Sequence, residues 1–150
     1  MTGRHVQSGV SLIEVLISLL ILGVGILGAA ALQLNALKYT DSSTLNTQAS
    51  FIAYDMMDRI RANPQGNYAL SSIDSAPAAN LNVPRDQDLS DFANNIRSIG
   101  GASAAGSIAI VDRVVTISIS WDDARAANVA GTVQTFTLTS RVVANPVVTP

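Results

Sequence analysis

The sequence predicts an α+β chain: one long N-terminal α-helix, membrane-inserted over its first half, packed against a small antiparallel β-sheet head. Three observations carry this. The run from Val15 to Leu37 is free of charge, an apolar stripe of helical period follows from Leu45 to Ile60, and two runs near the C-terminus alternate strictly. The 150 residues suit one modest domain, but 48% hydrophobic and 13% charged residues are spread too unevenly for an ordinary soluble globule.

The first element is set by Val15 to Leu32, where Ser18 is the sole polar side chain. That stretch is close to the ~20 apolar residues that carry a helix across ~30 Å of hydrocarbon, and Val10 to Ile13 and Leu34 to Leu37 extend it. The short lead MTGRHVQSG holds Arg4 and His5, a weakly positive flank that favours an inside N-terminus and sends the C-terminal bulk across the membrane. A cleaved secretory signal is the competing reading, with Ala29-Ala30-Ala31 as an imitation of its cleavage site. Such signals have apolar cores of only ~7–15 residues. Glu14 also fits that reading poorly, because a carboxylate at the start of an apolar helix is costly unless it is paired or held among headgroups.

Here a family resemblance enters. The segment GVSLIEVLISLLILGVGILG, Gly9 to Gly28, resembles the prepilin cleavage and methylation segment of type IV pilins. The resemblance implies that a prepilin peptidase cuts between Gly9 and Val10, on the cytoplasmic side, and that Val10 is then N-methylated. The family more commonly has phenylalanine where this chain has Val10. Glu14 becomes the fifth residue of the mature chain, and the apolar helix survives processing. The implied partner of Glu14 is the new amine of Val10, within a subunit or on its neighbour; pairing compensates part of the cost of removing a carboxylate from water. The bland alternative for Glu14 is a carboxylate that snorkels to the headgroups. Gly23, Gly25 and Gly28 weaken an isolated helix yet allow close helix approach, with Gly25 and Ala29 as a small-xxx-small pair.

Beyond the membrane run, Leu45, Ala49, Ile52, Ala53, Met56, Met57 and Ile60 recur at three- and four-residue spacing, and Asn63-Pro64 stops the helix. The expected helix, Ser11 to Ala62, would measure ~78 Å at 1.5 Å per residue, so it exceeds what a membrane needs. The serines and threonines of Tyr39 to Thr47 make a break or fraying there an open alternative. Asp55, Asp58, Arg59 and Arg61 read as solvated or locally paired, and Met56 and Met57 as core filling. Gln65 to Asp88 reads as surface loop with one short element at most. Asp86 to Ile99 reads as a short amphipathic helix ended by Gly100-Gly101, and ASAAGS as a flexible link. Val114 to Trp121 and Thr135 to Val143 are the expected strands, joined through DDARAANVAGT, with Ser107 to Val111 as a further one and Trp121 in the core or at its rim. The resulting divisions are a leader (1–9), an assembly helix (10–37), the outer half of the long helix (38–63) and a head (64–150).

QASFIAYDMMDRIRANPQGNYAL, Gln48 to Leu70, and VTISISWDD make the resemblance more specific: the chain is similar to the PilV-type minor pilins of type IV pili. This implies a structural subunit that helps initiate pilus assembly and so supports adhesion, twitching motility or DNA uptake indirectly. The implied partners are the prepilin peptidase/N-methyltransferase, other minor pilins and the major pilin, and the inner-membrane assembly platform. The implied location is the inner membrane as a single-pass protein with a periplasmic C-terminal domain, then the pilus at the cell surface. A minor pseudopilin of a type II secretion system uses the same stem and is the nearest alternative; a membrane-anchored adhesion module is a more distant one.

Other chemistry has little support in the sequence. No cysteine is present, so neither disulfides nor thiolate metal sites can form, including the cysteine-bounded C-terminal loop of many major pilins. A net charge of -2 with scattered Arg and Lys offers no phosphate-binding stripe, so direct nucleic-acid binding is not expected. His5, the single histidine, lies in the leader, and no serine has a motif-supported base partner, so no enzyme, cofactor or metal role is expected. Asp86, Asp88 and Asp91, and the pair Asp122 and Asp123, lack the full pattern of a calcium loop. They read as a helix start and a hairpin turn.

Overall fold

The computed structural model describes residues 11–127 and 129–142, and the chain divides between Lys38 and Tyr39 into two compact units. His5, Gly9, Val10 and Val143 lie outside the described residues. Helix α1 runs Leu12–Ala62 without interruption, so the hydroxyl-rich stretch from Tyr39 to Thr47 is helical. Thr44 and Thr47 each turn the hydroxyl back onto the carbonyl four residues earlier, at 2.9 Å in both cases. This lets a helix carry such side chains with their polar groups satisfied.

In the first unit, every residue from 11 to 37 is exposed. A helix that is apolar all round and exposed all round needs lipid or other apolar helices as its surroundings.

In the second unit the expected stripe faces a core. Ala49, Ala53, Met56, Met57 and Ile60 are buried, with Leu45 and Ile52 at the margin. The helix ends at Asn63-Pro64, where the Asn63 N–H donates to the Arg59 carbonyl at 3.1 Å. Helix α2, Pro84–Gly100, starts two residues before the expected Asp86. Pro84 occupies its first turn, where a missing N–H costs nothing and a fixed φ suits the helix. Leu89, Phe92, Ala93 and Ile96 are its buried face, and Gly101 closes it at φ 66°. Between the helices, a short 3-10 turn at Ile73–Ser75 is capped by Ser72.

Strands β1 (Ala105–Val111), β2 (Val114–Asp122) and β3 (Val133–Arg141) form an antiparallel sheet of order β1-β2-β3. Registers run from Ala105 opposite Ser120 and from Val114 opposite Arg141. Central β2 buries Val115, Ile117, Ile119 and Trp121 and turns its hydroxyl side chains outward. Leu70 makes an isolated antiparallel bridge to Ile108 on the outer side of β1, with backbone bonds of 2.9 and 2.8 Å. The long helix, packed by its Tyr39–Ala62 portion against this sheet, is the α+β fold the sequence implies.

Two connections differ from expectation. ASAAGS is not a free link: a short 3-10 turn covers Gly101–Ser103 and its second half enters β1. The reason is packing at Gly106, where an added Cβ would lie 2.5 Å from Ile96 Cδ1 and 2.9 Å from Ile73 Cγ2. Small residues here let α2 and the 3-10 turn close onto the sheet. The link between β2 and β3 likewise contains a one-turn helix, α3 (Ala124–Ala127).

Candidate assembly site

The residues expected to carry function start at the beginning of α1. Ser11 precedes the helix, and its Oγ accepts from the Glu14 N–H at 3.3 Å while its carbonyl accepts from the Glu14 and Val15 N–H groups at 3.0 and 3.3 Å. This is an N-cap, and Ser11-Leu12-Ile13-Glu14 has the spacing of a capping box. Sequence reasoning centred on the charge of Glu14 passed over Ser11, although the S-x-x-E signature was available. Ser18 Oγ donates to the Glu14 carbonyl at 2.7 Å. Glu14 therefore sits on a fixed first turn, where a carboxylate is also favoured by the helix dipole.

Glu14 is exposed, as are its apolar neighbours Leu12, Ile13 and Leu16. Gly9 and Val10, the expected processing site, lie outside the described residues. From Glu14 onward no charge occurs until Lys38, and the helix is long and apolar enough to cross a membrane. Gly23, Gly25 and Gly28 have open space where a Cβ would stand. The stem thus offers an apolar surface with three local hollows and a single carboxylate near its start.

In the head the acidic residues serve the fold. Arg59 is held by Asp55 at 2.9 Å, Asp88 at 2.8 Å and Asp91 at 3.2 Å. The hydrogen bond that Arg59 donates to Asp88 is the main reason its guanidinium is pushed above the ordinary arginine range, with burial opposing. Arg59 thus reaches beyond the local pairing expected on α1 and joins it to α2. Asp88 also accepts from Tyr68 Oη at 2.8 Å, and Asn63 Nδ2 donates to that oxygen at 3.2 Å. Burial first, and the Asp88 contact next, raise the Tyr68 phenol above its usual value. Asp86 pairs with Arg85 at 2.6 Å. Asp122 accepts from the Ala124 N–H, and buried Asp123 accepts from Ser42 Oγ at 3.0 Å. Both expected acidic groups are occupied by protein donors, and among the described residues no three His, Asp or Glu side chains gather as a metal site.

Two family models match the chain. One, described as a prokaryotic N-terminal methylation motif, covers residues 4–30. The other, described as type IV pilin Tt1218, covers residues 31–87. No curated protein and no solved structure gave a significant match. Abutting matches across the apolar helix and the start of the head, on a long-helix-plus-sheet fold, make this a pilin- or pseudopilin-like chain with an N-terminal methylation motif.

Proposed function

We propose that the chain is a minor pilin of the PilV type, a structural subunit that helps initiate type IV pilus assembly. The prepilin peptidase/N-methyltransferase cleaves between Gly9 and Val10 and methylates Val10. The mature chain then rests in the inner membrane as a single-pass protein with its head in the periplasm. From there its apolar helix leaves lipid for a bundle of equivalent helices. Glu14, capped into a fixed first turn, pairs with a Val10 amine and sets the axial register of that bundle. A single buried carboxylate in an apolar bundle is strongly position-selective, because only a register that supplies its partner offsets desolvation.

The observation that supports this reading most is the coincidence on one helix of the methylation-motif match at residues 4–30 with an uncharged surface exposed on every side. Such a surface suits a subunit that exchanges lipid for protein neighbours. The test is membrane crosslinking followed by affinity capture of the full chain. Recovery of major and minor pilins with the assembly platform is the expected result. Recovery of secretion-channel subunits in their place would move the chain to the pseudopilins of type II secretion.

A further inference from the structure

β3 leaves the sheet at a cavity. Arg141 pairs with Val114, and Val142 extends the ladder by one bond, its N–H donating to the Arg113 carbonyl at 2.9 Å. Ser140 lies opposite Val115, so by strand alternation Val142 faces the core side with Val115, and it is buried. Beside it opens a cavity of about 90 Å³ whose walls include Ile60, Pro64, Ile110, Val115 and Val142 itself. The end of α1, the loop that follows it, β1, β2 and the exit of β3 thus all meet around one small space.

The walls decide what can enter. They are mainly aliphatic, and burying a charge against such walls is costly. Since an apolar cavity of about 150 Å³ takes benzene, this one suits a single smaller aliphatic group. The sequence supplies that group close at hand. Val142 is followed by VANPVVTP, residues 143–150, which carry no charge and place Val147 and Val148 directly after Asn145-Pro146. An Asn-Pro step favours a turn, which sends the chain back toward its starting point. Val147 stands five residues past Val142, a span of up to about 18 Å when extended. It therefore reaches a cavity lined by Val142 with length to spare for the turn. So short a tether also gives an effective concentration on the order of millimolar, which favours this segment over an aliphatic side chain of a separate molecule.

We propose that the segment 143–150 folds back at Asn145-Pro146 and seats a valine of the Val147-Val148 pair in this cavity, pinning the end of α1 to the sheet. One isopropyl group then touches Ile60 and Pro64 on one side and Ile110 and Val115 on the other. The C-terminal segment acts as a clasp on the head at the point where the long helix stops. The proposal concerns the head alone and is independent of Glu14 and of the pilin reading.

The test uses the full chain in detergent micelles. Because the sequence has no cysteine, an introduced pair reports without interference. Ile110→Cys is combined with Val147→Cys or with Val148→Cys, oxidised, and analysed on non-reducing gels and by mass spectrometry. One of the two pairs should close a disulfide within the chain at about fivefold or more the yield of the same valine position paired with Ala109→Cys. Ala109 neighbours Ile110 on the opposite face of β1 and is exposed, so a segment without a seat would reach it at least as readily. Independently, Val147→Asp and Val148→Asp together should lower the thermal midpoint of the head by about 3–8 °C, while Thr149→Asp, which adds charge to the same segment, should leave it unchanged. Should Ile110→Cys unfold the head, the aspartate comparison decides alone, since it leaves the cavity walls intact. The proposal is overturned if the Ala109→Cys pairs close as efficiently, if the disulfides form between molecules, or if the double aspartate variant melts with the parent.

Discussion

Arg59 on α1 and Asp88 on α2 meet at 2.8 Å, across 29 residues of sequence, and the same carboxylate takes the Tyr68 hydroxyl at 2.8 Å. One aspartate therefore joins the long helix, the loop that leaves it and the second helix. Since Asp88 is mostly buried and Arg59 one-third exposed, truncating either partner leaves the other incompletely paired in a partly dry setting. Arg59→Ala or Asp88→Ala should each cost about 1–2 kcal/mol. A double-mutant cycle by chemical denaturation should give less than the sum of the two, as expected for groups in one network. Full additivity would show that the contact does not couple the helices.

The same network sets a response to alkali. Tyr68 is raised above its ordinary value by burial and by Asp88, so the folded state favours the neutral phenol. Its contribution is complete below the unfolded tyrosine pKa of about 10 and is lost as pH rises from there through the raised folded value. Arg59, raised from a still higher starting point, stays charged across that window. Thermal midpoints measured from pH 9 to 12 should fall more steeply for the parent than for Tyr68→Phe. The variant should start lower at pH 9, having lost its hydrogen bonds to Asp88 and Asn63. Parallel curves would contradict the assignment.

Gly106→Ala should destabilise the head by about 1–3 kcal/mol, because its methyl would meet Ile96 Cδ1 and Ile73 Cγ2 in a packed core. Adding Ile96→Val removes the first of those atoms and should recover part of the loss, although that change alone costs about 0.5–1.5 kcal/mol. Equilibrium denaturation of the single and double variants checks the sign of this coupling.

Gly25 has open space at its Cβ position, so Gly25→Leu should leave the head's thermal midpoint and membrane insertion unchanged. If the helix meets others closely at Gly25 and Ala29, that substitution should reduce helix-to-helix crosslinking about fivefold, while Gly25→Ala should have a smaller effect. Equal yields for all three would assign Gly25 to ordinary membrane-helix composition.

Much of this architecture was legible because its signals are periodic. The stripe from Leu45 to Ile60 and the alternation Val115, Ile117, Ile119, Trp121 both turn out to be core. The differences arise where the deciding interaction is not periodic. Pro84 moved the start of α2, and the contact of Gly106 with Ile96 and Ile73 drew an apparent linker into β1. Arg59 reads as a local partner of Asp55 until the fold brings Asp88 and Asp91 to it. At the candidate site, Glu14 was conspicuous as a charge next to a charge-free run. The capping role of Ser11 was less so, because a serine beside a glycine draws no attention without its S-x-x-E spacing.

The role of Glu14 is tested most directly by replacing it with Ala in cells and quantifying the variant in sheared surface filaments against its level in membranes. The account expects normal membrane levels, normal removal of the leader and severe loss from filaments, with Glu14→Asp recovering part of the incorporation. Incorporation of a stable, processed Glu14→Ala variant at the parental ratio would contradict it.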